Sequence, residues 1–376
     1  MNVIFTCGAT GGHINPAIAV ADVLKKRYSN CNILFIGGKD RMEEKLVPQA
    51  GYRLETIPAS SMSRGISINS LKHNLHAVSC LVQAIGKCKK IIREFQPDVV
   101  VGTGGYVSFP ALYAASCMGV PTCVHEANAM PGLTTRMIAD RADRVLTCFP
   151  ESAKHYRHSE RVETVGMPVR SEFIFTKKEP ARKELGLDAR PLIVSAFGSQ
   201  GAKAMNELMA ELFALEKQAD YPFQHIHAIG RYGVDWMPEY VSKKGVDVSE
   251  NKGIIMQEYI YNMPTMMAAA DIVISRAGAS SCNEIAASGT PCILIPSPNV
   301  TDNHQEKNAR ALADNGAAVL MLEKDCTAQA LMDAIYQLLN DKKRYEQMEK
   351  ALHKMCVPDS AERLADIIVQ LANKRR

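Results

Sequence analysis

Short apolar runs alternate with longer amphipathic stretches along most of the chain. In the first half, Val3–Thr6, Ile33–Ile36, Val99–Val101, Thr122–His125, Val145–Cys148 and Val162–Val165 predict strands. Helical spacing near 16–27, 41–50, 71–95, 108–118 and 133–140 fills the gaps between them. Such alternation predicts an α/β fold, a parallel sheet with helices on both faces. The pattern breaks between 166 and 190, where the polar stretch Thr176-Lys177-Lys178-Glu179-Pro180 reads as a linker. A second series then follows: Leu192–Phe197, His225–Ile229, Ile254–Ile255, Ile272–Ser275, Cys292–Ile295 and Ala318–Leu320. The expectation is two doubly wound, Rossmann-like domains, 1–165 and 166–356, facing across a cleft. The last stretch, about 357–376, carries a helix near 360–374 that is expected to pack back on the first domain.

Composition narrows the class. The 376 residues are 47% hydrophobic and 22% charged, as in an ordinary globular protein with ample core. No apolar run is long enough to span a bilayer. The N-terminus enters a strand pattern without a basic n-region, so it does not read as a signal peptide. The cysteines number eleven, none spaced Cys-x-x-Cys, and Cys7, Cys31, Cys123, Cys148 and Cys292 lie in apolar runs. They read as reduced core residues of a cytoplasmic protein. The net charge of +4 is uneven. Residues 1–165 carry 19 Lys and Arg against 13 Asp and Glu, and the remainder 25 against 27. The first half is therefore the one suited to an anionic surface or ligand.

The candidate chemistry sits where strands run into loops. Gly8-Ala9-Thr10-Gly11-Gly12-His13 lies between a strand and a helix, a layout that turns backbone N–H groups toward an anion. His13, at the lip of that turn, is a candidate general base; a structural histidine in a tight turn is the plainer alternative. Gly102-Thr103-Gly104-Gly105-Tyr106 is a second glycine loop, and Gly198-Ser199-Gln200-Gly201 opens the second domain in the same way. His125-Glu126-Ala127-Asn128 places polar side chains directly after a strand, with Glu126 a competing base. Glu284, in a helix entered through Ser275–Asn283, is placed to accept hydrogen bonds from ribose hydroxyls, or simply to complement a helix dipole. Asp302-Asn303-His304-Gln305 offers donors and acceptors suited to a sugar. In the helix near 71–95, Leu71, Leu75, Val78, Val82 and Ile85 recur at helical spacing among Lys72, Lys87, Lys89, Lys90 and Arg93. That stripe is either core packing under a solvated basic face or a surface for anionic lipid. No Asp-x-Asp occurs, and no metal, cofactor or nucleic-acid partner is expected.

These motifs, in this order and spacing, resemble those of the MurG family over nearly the whole chain: Gly8–His13, Gly102–Tyr106, His125–Asn128, Gly166–Arg170, Gly198–Gly201, Arg276–Glu284 and Asp302–Gln305. The resemblance implies the two-domain glycosyltransferase B fold and metal-independent, inverting transfer of N-acetylglucosamine from its UDP donor to lipid I, giving lipid II. It implies donor contacts from Ser199 and Gln200 at the diphosphate, Ile260 along the uracil, Ala279, Ser280, Ser281, Cys282, Asn283 and Glu284 at the nucleoside, and Gln305 on the sugar. Thr10, Gly11, Gly12, Asn128 and Arg170 would complete the donor site from the other side of the cleft. Gly11, Gly12, Gly104, Gly105, Tyr106 and His125 would take the acceptor. Lys72, Leu75, Val78, Val82 and Ile85 would dock the cytoplasmic face of the bacterial plasma membrane, near other wall-synthesis proteins. A UDP-N-acetylglucosamine 2-epimerase, a glycolipid-forming transferase and a silent nucleotide-sugar sensor are the rival readings.

Overall fold

The computed structural model describes residues 1–8, 10–60, 68–248 and 253–374. Ala9 and the side chain of Leu71 lie outside the described residues. The chain divides into two compact units, Met1–Val169 with Asp359–Arg376, and Arg170–Pro358.

The first unit runs β1 (Asn2–Thr6), α1 (Gly11–Arg27), β2 (Asn32–Gly38), α2 (Glu43–Gln49), β3 (Arg53–Ile57), α3 (Ile68–Phe95), β4 (Val99–Gly102), α4 (Ser108–Cys117), β5 (Thr122–Glu126), α5 (Leu133–Ala139), β6 (Arg144–Thr147) and β7 (Val162–Thr164). Its strands form one parallel sheet ordered β3-β2-β1-β4-β5-β6-β7. The order reverses between β1 and β4, so the loops leaving those two strands flank the crevice where such sheets bind ligands. One core layer, including Phe5, Phe35, Val99 and Val101, packs under α1; the other, including Ile4, Ile36, Val100 and Leu112, lies under α3 and α4.

The second unit runs α6 (Glu172–Phe175), α7 (Lys178–Glu184), β8 (Leu192–Ala196), α8 (Lys203–Gln218), β9 (Gln224–Ala228), α9 (Met237–Lys243), β10 (Ile254–Gln257), α10 (Met263–Ala269), β11 (Ile272–Ser275), α11 (Ala279–Ser288), β12 (Cys292–Leu294), α12 (His304–Ala313), β13 (Val319–Leu320), α13 (Ala328–Asn340) and α14 (Lys342–Met355). Its parallel sheet is ordered β10-β9-β8-β11-β12-β13 and reverses between β8 and β11. The final helix, α15 (Ser360–Lys374), returns to the first unit. There Leu364, Ile368 and Leu371 enter the core beneath α1, and Arg27 Nη1 reaches Asp366 at 2.6 Å.

One local expectation is corrected, one strand is added, and one of two open readings is closed. The stretch read as a linker at 176–180 contains the start of α7, with Pro180 in its first turn, where a missing N–H costs no helix bond. Strand β3, Arg-Leu-Glu-Thr-Ile, was not expected: it is an edge strand with polar residues outward, and Arg53 pairs with Glu55 at 2.9 Å. In α3 the core-facing residues are Ala77, Ala84, Cys88, Ile91 and Ile92, not the stripe of larger residues. Leu75 and Val82 are each 66% exposed and Val78 47%, while Ile85 is half-buried. The five cysteines read as core residues are all buried, and all eleven are free thiols.

Candidate functional site

In the first unit, the loops after β1 and β4 are built against each other. Thr103 N donates to Thr6 O at 3.1 Å, extending the ladder past the strand ends. The Thr103 hydroxyl donates to His13 O at 2.6 Å, and Thr103 O lies 3.1 Å from His13 Nδ1. A carbonyl only accepts, so Nδ1 carries the proton and Nε2 is the basic nitrogen of the ring. Threonine 103 thus holds His13 at both backbone and ring. The loop residue that makes this possible is Gly104, at φ +107°: a Cβ there would stand 2.6 Å from Nδ1. Gly105, at φ +81°, is likewise required, since its Cβ would collide with Gly8 O. The Ser108 hydroxyl, 2.6 Å from Gly104 O and 3.0 Å from Thr6 O, ties the loop down from the α4 side.

Helix α1 starts at Gly11 with Thr10 as an exposed N-cap whose side chain makes no capping bond, and its first turn holds no acid. The first-turn N–H groups of an α-helix have no partner within the helix, and the macrodipole adds partial positive charge. Gly11, Gly12 and His13 are half-buried at that end. Tyr106 packs its ring partly on the core beneath α4.

The next loop differs from expectation. His125 is fully buried, with Nε2 2.9 Å from Gly166 O. Burial holds its pKa below the ordinary histidine value, so it is a neutral, structural imidazole rather than an acceptor-binding group. Glu126 is 3% exposed. Its Oε1 accepts from Asn128 N (2.9 Å) and Asn128 Nδ2 (3.0 Å), and its Oε2 from Gly132 N at 3.0 Å. The carboxylate therefore pins the turn into α5, which argues against its role as a base, and it engages the amide of Asn128.

In the second unit, Gly198, Ser199 and Gln200 form an exposed loop ahead of α8. Helix α11 begins at Ala279 after Gly278, again without an acid in its first turn. Ala279, Ser280 and Ser281 are half-buried at that end, and Asn283 folds its Nδ2 back onto Ala279 O at 2.8 Å. Cys282, by contrast, is fully buried, and its thiol is pushed up to about 12; its side chain is core rather than a ligand contact. Burial raises the half-buried Glu284 carboxyl to about 7, against the opposing pull of Arg170. Arg170 belongs to this second unit, so the expectation that it acts with Thr10 and Asn128 from the first domain is corrected. Its guanidinium lies 5.2 Å from the centre of the Phe173 ring. Gln305 Oε1 accepts from Ser297 N at 2.9 Å and so braces the loop before α12. The side chain of Ile260 is buried, flanked by exposed Tyr259 and Tyr261 with rings 4.9 Å apart.

Sequence reasoning missed two features. One is Thr103, whose role depends on a residue ninety positions away. The other is the loop Gly230-Arg231-Tyr232-Gly233, although glycines directly after a strand pattern were the available signal.

Two family models match the chain in order: the glycosyltransferase family 28 N-terminal domain over residues 3–147 and its C-terminal domain over 192–364. The UDP-N-acetylglucosamine–N-acetylmuramyl-(pentapeptide) pyrophosphoryl-undecaprenol N-acetylglucosamine transferase of Acetivibrio thermocellus is 40% identical over 376 residues, all of this chain and 99% of its own. The protein of the same name from Thermoanaerobacter sp. is 41% identical over 369 residues, 98% of this chain and 99% of its own. The crystal structure of Acinetobacter baumannii MurG superposes with a TM-score of 0.77 at 28% identity, covering 98% of this chain and 99% of that one. With both halves matched in order and relatives alike end to end, the chain belongs to the MurG family, within glycosyltransferase family 28.

Proposed function

We propose that this chain transfers N-acetylglucosamine from UDP-N-acetylglucosamine to the C4 hydroxyl of the muramoyl sugar of lipid I, forming lipid II, with His13 as general base. The observation that carries the base assignment is the bond between His13 Nδ1 and Thr103 O, which leaves Nε2 as the proton-accepting nitrogen. The acceptor oxygen attacks the anomeric carbon, its proton passes to Nε2, and the bond from that carbon to the diphosphate breaks with its electron pair leaving on UDP. Attack opposite the leaving group inverts the anomeric centre. The Glu126 carboxylate, engaged by Asn128 and Gly132, keeps the adjoining loop in place instead.

The first unit takes the acceptor, whose diphosphate suits the first-turn N–H groups of α1 beside Gly104 and Gly105. The second unit takes the donor: Ser199 and Gln200 at the diphosphate, Ser280 and Ser281 at the nucleoside, Glu284 at the ribose and Gln305 near the sugar. Arg170, beside Glu284 in the same unit, adds a cation to the donor contacts. The acceptor is a lipid, and among the described residues no helix is long and apolar enough to cross a membrane. Peripheral docking on the cytoplasmic face fits the exposed Leu75, Val78 and Val82 beside Lys72.

Labelled UDP-N-acetylglucosamine incubated with a lipid I analogue should yield lipid-linked disaccharide. His13→Gln should lower kcat by about 10²- to 10⁴-fold with donor binding unchanged. Free UDP without disaccharide would refute the transfer, and near-normal turnover in the variant would refute the base.

A further inference from the structure

Departure of UDP leaves additional negative charge on a diphosphate, and a cation held at that point lowers the barrier. Several cations of the second unit are already engaged. Arg276 pairs with Glu323 and donates to Ile295 O at 3.0 Å. Lys203, the first residue of α8, sits 3.8 Å from Glu207. Arg170 stacks on Phe173 and faces Glu284.

Arg231 is placed differently. It is exposed, and among the described residues no carboxylate lies within 4 Å of its guanidinium. Its backbone is fastened to the donor loop. Arg231 N donates to Ser199 O at 3.3 Å, and Tyr232 N to Gln200 O at 3.1 Å. The two loops interlock through glycines. Gly201 (φ +78°) and Gly230 (φ +70°) approach so closely that a Cβ on either would strike the other loop's backbone. Behind them, buried Asn206 donates from Nδ2 to Ile229 O at 2.7 Å, and Gly233 leaves room for that amide. The position of Arg231 relative to Ser199 is therefore fixed, while the guanidinium end is left to a ligand. Gly198, on the open side, has no atom within 4 Å of where its Cβ would stand.

We propose that Arg231 binds the donor's diphosphate beside Ser199 and neutralises the charge that accumulates there as UDP leaves. The Arg231 side chain starts from a backbone bonded to Ser199, and its guanidinium fork matches phosphate oxygens two at a time. The proposal rests on the reading that the Gly198–Gly201 loop holds the donor diphosphate. It adds a charged residue from a second loop that the motifs did not single out.

The test compares two ligands by calorimetry, UDP and uridine, on the full chain. Arg231→Ala should weaken UDP about tenfold or more while leaving uridine unchanged, because only UDP carries phosphates. Arg231→Lys, which keeps charge but not the fork, should fall between. Retained uridine binding shows that the variant is folded. Equal UDP affinity in wild type and Arg231→Ala would overturn the proposal and leave the donor reading intact. An equal loss for UDP and uridine would overturn it as well. Wild-type protein that binds neither ligand would overturn the underlying donor reading itself.

Discussion

Replacing Gly104 by alanine isolates what the contact between the two first-unit loops does for catalysis. At φ +107° a non-glycine residue is strained by about 1–3 kcal/mol. The new methyl would also stand 2.6 Å from His13 Nδ1 and 2.8 Å from Cε1. Ordinary contacts need roughly 3.5 Å or more, so the imidazole must retreat by about 1 Å. That retreat weakens the 3.1 Å bond to Thr103 O, a net loss of about 1 kcal/mol, and moves Nε2 off its line to the acceptor. Displacement of a catalytic group by about 1 Å costs about 10²-fold in rate. The expected outcome in the lipid I assay is kcat down by about 10²-fold with the KM for UDP-N-acetylglucosamine unchanged, since the donor loops lie in the other unit. Gly119→Ala is the control. Gly119 also has positive φ, +67°, but its Cβ would meet nothing within 4 Å. It shares a backbone penalty without touching His13, so its kcat should match wild type. Equal kcat values for the two alanine variants would refute the reasoning.

Two further outcomes follow from the geometry. The Glu284 carboxyl titrates near 7 in the folded protein and near 4.5 in an unfolded chain, so the folded state holds the extra proton between those values. Its contribution to stability is full below about pH 4.5 and is lost as the pH rises through 7; Glu284→Gln should abolish that slope in melting temperature. A ribose diol donates to the ionised form, so uridine affinity measured by calorimetry should rise through pH 7 in wild type and stay flat in the variant. Leu75→Glu with Val82→Glu should reduce sedimentation with anionic vesicles without changing the melting temperature by more than about 1 °C, since both side chains are exposed; unchanged sedimentation would refute the docking surface.

The strands were legible because each is a short β-branched run with turns at both ends, and a parallel sheet buried on both faces demands that pattern. Strand β3 was not, because an edge strand keeps polar residues on its open side. Helix α7 was hidden by Pro180, which breaks a helix interior but is harmless in a first turn. The glycine loops after β4 and β8 stood out for a related reason: at φ values near +80° to +107°, little but glycine is tolerated. Polar residues after strands were harder. His125 and Glu126 look the same in sequence as His13, yet Gly166 O and Gly132 N absorb them into the scaffold. Those partners are 41 and 6 residues away, and only the folded chain brings them together. For Arg231 the information was local, a glycine-bounded tetrapeptide after a strand. Its meaning depended on Ser199, in a different loop.

The return of α15 to the first unit has a consequence for biosynthesis. Helix α1 is made before the second unit, and its partner Asp366 lies 339 positions after Arg27. Throughout translation of the second unit, Ala17, Val20, Ala21 and Leu24 wait without the helix that helps bury them. The second unit, a continuous stretch, can complete its core first, although it is made later. The first unit's native core is thus completed only after the second unit has been made, although the last strand of its own sheet ends at Thr164.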